Sequence, residues 1–493
     1  MPASFDHLPE LGVGMVYWPE LETLLEEKSS LINVIEIEPQ ALWYETDHVE
    51  LPYFPDPAIL QRLRSLPQPK LIHSVGLPIG GSRSPIMSHL PLLQEFVGDL
   101  NAVWASEHLS FNHASISGRL SPTGFLLPPL QTHEGVATAV HAIRQISTQL
   151  PISFAIETGV SYLKPRPGEL SDGQFVASIV TEADCGILLD LHNVWTNERN
   201  GRQSVYEFLS EIPLDRVLEI HLAGGCEYEG YWLDAHSGMV PEPLMALAAT
   251  VIPHLPNLRA IIFEILPIFI SRLGLAQVRT QLEQLHKLWG LRQSCSTSLN
   301  RATAQQVQNL VDRKDTARVT TEVWEDTLAA IVNGQTCEGP LCADLKADSG
   351  SSILQILVES VRSGMVVDGL KLTSRLIMLQ RGEALFRQLL SDFWRNSPPH
   401  MFASAEALGF ADYLAACQLG IPYLAEILSF ETAQLHEART GEARTVNFPF
   451  DPVPLLQALC KGQLPDFLPV GNFEIEVSSY LGAQIREAAI RLK

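Results

Sequence analysis

The chain has 493 residues, 46% of them hydrophobic and 18% charged, an ordinary globular balance with room for two or three domains. Its formal net charge of −22 argues against nucleic acid and anionic membranes as partners, since the densest basic stretch, "VDRKDTAR", is broken by aspartates. The N-terminus lacks the basic and apolar regions of a signal peptide, no apolar run is long enough to span a bilayer, and the seven scattered cysteines suit a reducing compartment, so the expected location is the cytoplasm.

In chain order, the first 290 or so residues repeat one rhythm: a short apolar run, a polar turn, then a helical pattern. The runs are "GVGMVYW", "NVIEIE", "KLIHSVG", "AVWASEHLSF", "SFAIETG", "GILLDLHN", "RVLEIHLAGG" and "RAIIFEI". Between them lie helix signals. "PELETLLEEKSS" has leucines at helical spacing, "THEGVATAVHAIRQISTQL" is amphipathic, and "SDGQFVASIVTEA" opens on capping residues. Continuous apolar runs suit strands buried on both faces. Eight of them alternating with helices predict an α/β fold, a (β/α)8 TIM barrel over residues 1–295. A doubly wound sheet is the competitor, but no G-x-G-x-x-G follows the first strand.

A polar stretch, "LRQSCSTSLNRATAQQ", then leaves the barrel, and residues 296–314 read as a linker. Residues 315–493 predict a mostly α-helical C-terminal domain, with Gly334 and Gly364 as helix stops and a break at Pro398-Pro399. "TCEGPLC" has no second cysteine pair to complete a zinc site, so Cys337 and Cys342 read as an ordinary loop pair, with redox chemistry as the alternative.

The C-terminal ends of barrel strands surround one pocket. At those ends stand His73, His108, Glu157, Asp190, His221 and Glu264, each about one βα unit from the next. His192, Asp234 and His236 follow closely behind two of them. Carboxylates and imidazoles converging in an apolar-walled pocket repel and desolvate one another unless a cation joins them, and this donor set suits iron, manganese or zinc. Nine donors exceed one ion's needs and fit two or three. Any single strand-end histidine is more often a hydrogen-bonded structural residue than a ligand; the joint pattern is what points to metal.

Seven motifs, "LIHSVGLPIGGS", "SEHLSF", "IETGVSYL", "GILLDLHNVWTN", "EIHLAGG", "LDAHSG" and "FEILP", occur in that order. Over roughly residues 8–290 the chain thereby resembles the multinuclear non-haem iron-dependent oxidative enzymes, which include the methanobactin-biosynthesis enzyme. The resemblance implies a TIM barrel, two or three iron ions in a mixed-valent Fe(II)/Fe(III) state, dioxygen as co-substrate, and a ribosomally made precursor peptide, often modified at cysteine. By motif, it implies that His73, His108 and Glu157 hold one iron, Asp190, His221 and Glu264 a second, and His192, Asp234 and His236 a third. Whether His192 or its neighbour Asn193 serves that third site stays open. Glu107 is a further candidate to bind or orient, and Ser106, Asn193 and Asn197 are candidates to orient ligands.

In the C-terminal region, "LLSDFWRNSPPHMFASAEALGFADYL", "IPYLAEILSFETAQ" and "FPFDPVPLLQAL" resemble partner proteins encoded beside such enzymes, which help recruit the precursor's leader. A fusion of the two would raise the effective concentration of peptide at the barrel; a helical dimerisation or stabilising domain is the plain alternative. Two other functions fit the same residues: a divalent-metal isomerase or endonuclease-IV-like phosphodiesterase on this barrel, and a non-enzymatic binding protein.

Overall fold

The computed structural model describes residues 5, 7–26, 30–83, 86–116, 118–292 and 319–491. The eight apolar runs form eight parallel strands that close into a barrel in chain order. They are β1 (Gly12–Val16), β2 (Val34–Ile37), β3 (Lys70–Ser74), β4 (Trp104–His108), β5 (Ser153–Glu157), β6 (Gly186–Asp190), β7 (Val217–Ala223) and β8 (Ala260–Glu264), the last pairing back onto β1. The architecture is the predicted (β/α)8 barrel followed by a largely helical region.

Strand periodicity sorts the side chains into two layers. Val34, Leu71, Trp104, Ala155, Leu188 and Ala260 pack together inside the barrel, where Phe5 and Leu8 join them. Their neighbours Ile35, Ile72, Ala105, Ile156, Leu189 and Ile261 belong to the outer core beneath the helices. The inner parity continues along each strand to Glu36, His73, Glu157, Asp190 and Glu264, so the alternation that fills the barrel also carries polar groups to its C-terminal mouth. Gly14 is needed for closure: a Cβ there would lie 2.2 Å from the Val34 carbonyl oxygen. Local signals set the helices, with capping boxes at Ser171/Gln174 and Ser204/Glu207.

Three antiparallel hairpins decorate the mouth and were not expected: Trp43–Glu45 with Tyr53–Pro55 after β2, Phe111–Ile116 with Arg119–Leu127 after β4, and Cys226–Tyr228 with Tyr231–Leu233 after β7. The stretch expected as a linker, 296–314, lies outside the described residues. Beyond it come helices Thr321–Val332, Pro340–Ala347, Ser349–Gly369, Lys371–Arg381, Glu383–Asn396, Ala403–Ala416 and Leu424–Thr440. A two-stranded sheet of Arg444–Phe450 and Val470–Val477 follows, interrupted by helix Pro452–Cys460, and helix Tyr480–Arg491 closes the described chain.

Two readings need correction here. Gly334 does follow a helix, with φ +65°, but Gly364 lies inside Ser349–Gly369. Burial of Val358, Arg362 and Val366 along that helix outweighs the roughly 1 kcal/mol penalty of an interior glycine. Cys337 and Cys342 are joined in a disulfide rather than lying free in a loop: the turn through Gly339-Pro340 brings their Cα atoms to 6.0 Å, within bridging range.

The helical region sits on the loops that follow the strands' C-terminal ends. Trp324, Leu328, Leu341 and Leu354 share one apolar cluster with Phe111, Leu127, Tyr162 and Leu233. Around it, Arg83 forks onto Asp326, Trp324 Nε1 donates to the Pro128 carbonyl (3.0 Å), the Lys164 amide donates to Asp348 (2.9 Å), and Tyr231 Oη meets Ser349 Oγ (2.7 Å). Arg439 reaches Glu45 and Asp47 on the hairpin after β2. The barrel mouth is therefore walled by the second half of the chain.

Candidate metal centre

Register places the polar strand ends side by side: His73 opposite Ser106, His108 opposite Glu157, and Asp190 opposite His221. Four sets of ligand atoms lie within 4.8 Å of one another: His73, His108 and Glu157; Glu157, Asp190 and His221; Glu36, His221 and Glu264; and Asp190, His236 and Glu264. Glu157, Asp190, His221 and Glu264 each belong to two sets, so the groups form one continuous cluster and not separate pockets.

Some of its atoms are paired, His73 Nε2 with His108 Nε2 at 3.1 Å among them, but others are close without being hydrogen-bonded. His221 Nδ1 is 3.1 Å from Glu264 Oε1, His236 Nε2 is 3.3 Å from Glu264 Oε2, and His73 Nε2 is 3.5 Å from Glu157 Oε2. Yet Glu157 Oε2, Asp190 Oδ2, Asn193 Oδ1, His221 Nδ1, His236 Nε2 and Glu264 Oε2 are all buried with no hydrogen-bond partner. Buried polar atoms of native proteins are nearly always paired. Several lone pairs converging without protons between them is how donors surround a cation, and oxygen and imidazole nitrogen fit transition metals. The residues present thus fit the metal that the sequence points to.

Hydrogen bonds fix which nitrogen His73 and His221 offer. Ser106 Oγ donates to the Ile72 carbonyl (3.4 Å) and accepts from His73 Nδ1 (2.9 Å), leaving the lone pair on His73 Nε2, which faces His108 Nε2 at 3.1 Å. His221 Nε2 donates to Glu36 Oε2 (3.3 Å), leaving Nδ1 facing Glu264. Glu36, fully buried on β2, was not anticipated. Asn193 donates to Glu157 Oε1 (3.4 Å), its backbone N–H caps Asp190 Oδ1 (2.9 Å), and its Oδ1 stays unpaired. His192 differs: Nδ1 bonds to Asp234 Oδ1 (2.9 Å), Nε2 to the Trp232 indole (3.1 Å), and neither joins the grouped atoms. Glu107 and Asn197 also stand apart. Glu107 accepts from the Leu77 and His108 amides, and Asn197 braces Gly159 and Ser161 in the loop after β5.

Without a cation the cluster must balance its charge with protons. Burial lifts the Glu36 and Asp190 carboxyls well above the usual range. Burial depresses the His221 and His236 imidazoles, but Glu264 beside the first and Asp234 beside the second more than offset it and raise both well above 6.5. His108 is likewise pulled down by burial and pushed up further by Glu157, to about 9. Burial and the neighbouring imidazoles drive His73 the other way. His236 also holds a left-handed backbone, φ +44°, at a cost of about 1–3 kcal/mol that marks functional positions.

Fold and site together define a TIM barrel with a carboxylate–imidazole cluster, a candidate metal centre, at its C-terminal mouth. The chain belongs to the MbnB/TglH/ChrH family of RiPP precursor modification enzymes (RiPP, ribosomally synthesised and post-translationally modified peptide), whose sequence model matches residues 12–265. The family is enzymatic and acts on RiPP precursors. A UPF0276 protein of Anaeromyxobacter sp. is 31% identical over 218 residues, 44% of this chain and 75% of that protein. One of Chromobacterium violaceum is 31% identical over 225 residues, 45% of this chain and 78% of that protein. Among solved structures, a xylose isomerase domain containing protein from Salmonella typhimurium aligns at 14% identity and a TM-score of 0.40, covering 57% of this chain and 98% of that one. No helix among the described residues is long and apolar enough to cross a membrane.

Proposed function

We propose that this chain is an oxygen-dependent, multinuclear iron enzyme that oxidatively modifies a residue, cysteine in the first instance, of a ribosomally made precursor peptide. The observation carrying this reading is the chain of overlapping ligand sets sharing Glu157, Asp190 and Glu264, because shared carboxylates are how several cations are held at short range. In this reading His73, His108 and Glu157 would hold one iron, and Asp190, His221 and Glu264 a second. Asp234 and His236 would hold a third; both nitrogens of His192 are engaged by Asp234 and Trp232, whereas Asn193 Oδ1 is buried without a hydrogen-bond partner.

Bound iron supplies one-electron chemistry with dioxygen and a coordination position for a substrate thiolate. The chain's own residues do the rest. Ser106 and Glu36 fix the tautomers of His73 and His221. Deep burial of those histidines keeps water from the inner part of the cluster, while His108, Asp234 and His236, with side-chain exposures of 20%, 15% and 25%, face the mouth where a peptide would enter. For the leader, strand Val470–Val477 is paired on one side only, and Val470 and Phe473 are exposed beside it. A free strand edge suits an extended peptide adding as a third strand.

The test is the metal content and Mössbauer spectrum of protein purified anaerobically from iron-supplemented cells. Two or three irons per chain, including an antiferromagnetically coupled mixed-valent pair, are expected. His221→Ala should lower metal content and peptide turnover together. Zinc alone, unchanged by iron loading and indifferent to oxygen, would replace this reading with a hydrolase or isomerase.

A further inference from the structure

Both ring nitrogens of His192 have protein partners, neither of them in the grouped ligand sets. The Trp232 indole N–H, which can only donate, lies 3.1 Å from His192 Nε2. Nε2 must therefore be the bare acceptor, and the ring proton sits on Nδ1, 2.9 Å from Asp234 Oδ1. The same Asp234 oxygen is 2.9 Å from His236 Nε2, and the Asp234 amide donates to Tyr162 Oη (3.1 Å). A file of three side chains thus runs Trp232 to His192 to Asp234 and ends against His236. His192 is fully buried.

Trp232 is itself held. Its backbone N–H donates to Asn200 Oδ1 and its carbonyl accepts from Asn200 Nδ2, both at 2.9 Å, which clamps the hairpin after β7 to the helix after β6. Gly225 lets the indole lie against the backbone, since a Cβ there would come within 2.5 Å of Nε1. The arm of chain carrying Asp234 and His236 would otherwise be tied to the barrel mainly by backbone contacts such as Leu266 N–H to the His236 carbonyl (3.1 Å).

We propose that His192 and Trp232 are positioning residues: a neutral imidazole, fixed in one tautomer by an indole N–H, orients Asp234, and through it His236, for the outermost cation of the centre. The inference rests on the metal-enzyme reading above. It assigns His192 to the support of a ligand and takes it out of the ligand set. Loss of such a supporting partner lowers metal affinity by about 10–100-fold.

The test is anaerobic Fe(II) titration of metal-free protein, following stoichiometry and the affinity of each ion, with circular dichroism to confirm folding. His192→Ala is expected to keep the tightly held ions and weaken the last one by about 10–100-fold. His192→Asn, whose amide N–H takes the place of Nδ1–H, should recover most of that loss. Trp232→Phe, which keeps the ring and removes the donor, should fall between. An unchanged last affinity in His192→Ala would overturn the proposal. So would nitrogen hyperfine coupling from a His192 imidazole bound to iron in the loaded wild-type protein, or a His192→Asn variant as defective as His192→Ala. If the wild-type protein takes up no iron at all, it is the function proposed above that fails.

Discussion

At the residue scale, the site is decided by which nitrogen of each imidazole keeps its lone pair. An imidazole takes one cation on one nitrogen while the other holds its proton, so in the proposed centre Glu36, on the Nε2 side of His221, would act as its anchor and Glu264 would share the cation on the Nδ1 side. Glu36→Ala should therefore reduce iron affinity by about 10–100-fold, and Glu36→Gln, which keeps an acceptor, by much less; equilibrium dialysis of the two variants checks this. The protons that stand in for cations give a second expectation. His108, raised to about 9 by Glu157, stabilises the metal-free protein fully below about 6.5, its unfolded value, and progressively less as pH rises toward 9. Burial raises Glu107 and Glu38 from 4.5 to about 7, so those groups act in the same direction at lower pH, between about 4.5 and 7. The melting temperature of metal-free protein should fall between pH 6.5 and 9, while the iron-loaded protein, whose ligands are already deprotonated, should hold steady or gain. Most of these residues are legible in the sequence because a charged side chain at the end of an apolar strand has few structural uses. Glu36 was not, since in "NVIEIE" an alternating glutamate reads equally well as the solvent face of a strand. His192 and Asn193 could not be told apart from spacing either: adjacent residues in the first turn of a helix point about 100° apart, and only the fold says which faces the pocket.

Among the elements, the eight strands are legible because burial on both faces demands unbroken apolar runs, and that signal survives without tertiary knowledge. The hairpins at the mouth are not, because four of their six strands span only three residues, too short for a periodic signal. Helix Ser349–Gly369 shows how close that packing is. A Cβ on Gly350 would lie 2.1 Å from the Tyr162 carbonyl oxygen, and Tyr162 in turn supports the Asp234 backbone. Gly350→Ala should cost about 1–3 kcal/mol, measured by denaturant unfolding, and should loosen the loop after β5 in hydrogen exchange. A substitution at Gly364, which has nothing within 4 Å, should be neutral or slightly stabilising.

For the whole molecule, the two halves share an apolar cluster that neither could cover alone. Leu127, Tyr162 and Leu233 of the barrel and Leu328, Leu345 and Leu354 of the helical region are all at most 8% exposed in the joined chain. Expressed separately, residues 1–292 and 319–493 should each aggregate or bind a hydrophobic dye, and co-expression should recover a soluble complex, as read by size-exclusion chromatography. Independent solubility of the barrel would show that the helical half is not needed to cover its mouth. The amphipathic helices make that half's character plain in the sequence, but its seat on the barrel is not, because the contacts are spread over loops following five different strands.

The graded exposure of the cluster has a kinetic corollary. His73, His221 and Glu264 lie at the bottom, with side-chain exposures of 2%, 0% and 5%, whereas His236 and Asp234 line the way in. Ions must pass the second pair to reach the first, so loading proceeds from the floor upward and unloading from the rim downward. A chelator should strip the centre in distinct phases, the fast one ending with the inner ions still in place, and an oxygen-damaged enzyme would be repaired by replacing one ion without rebuilding the whole centre.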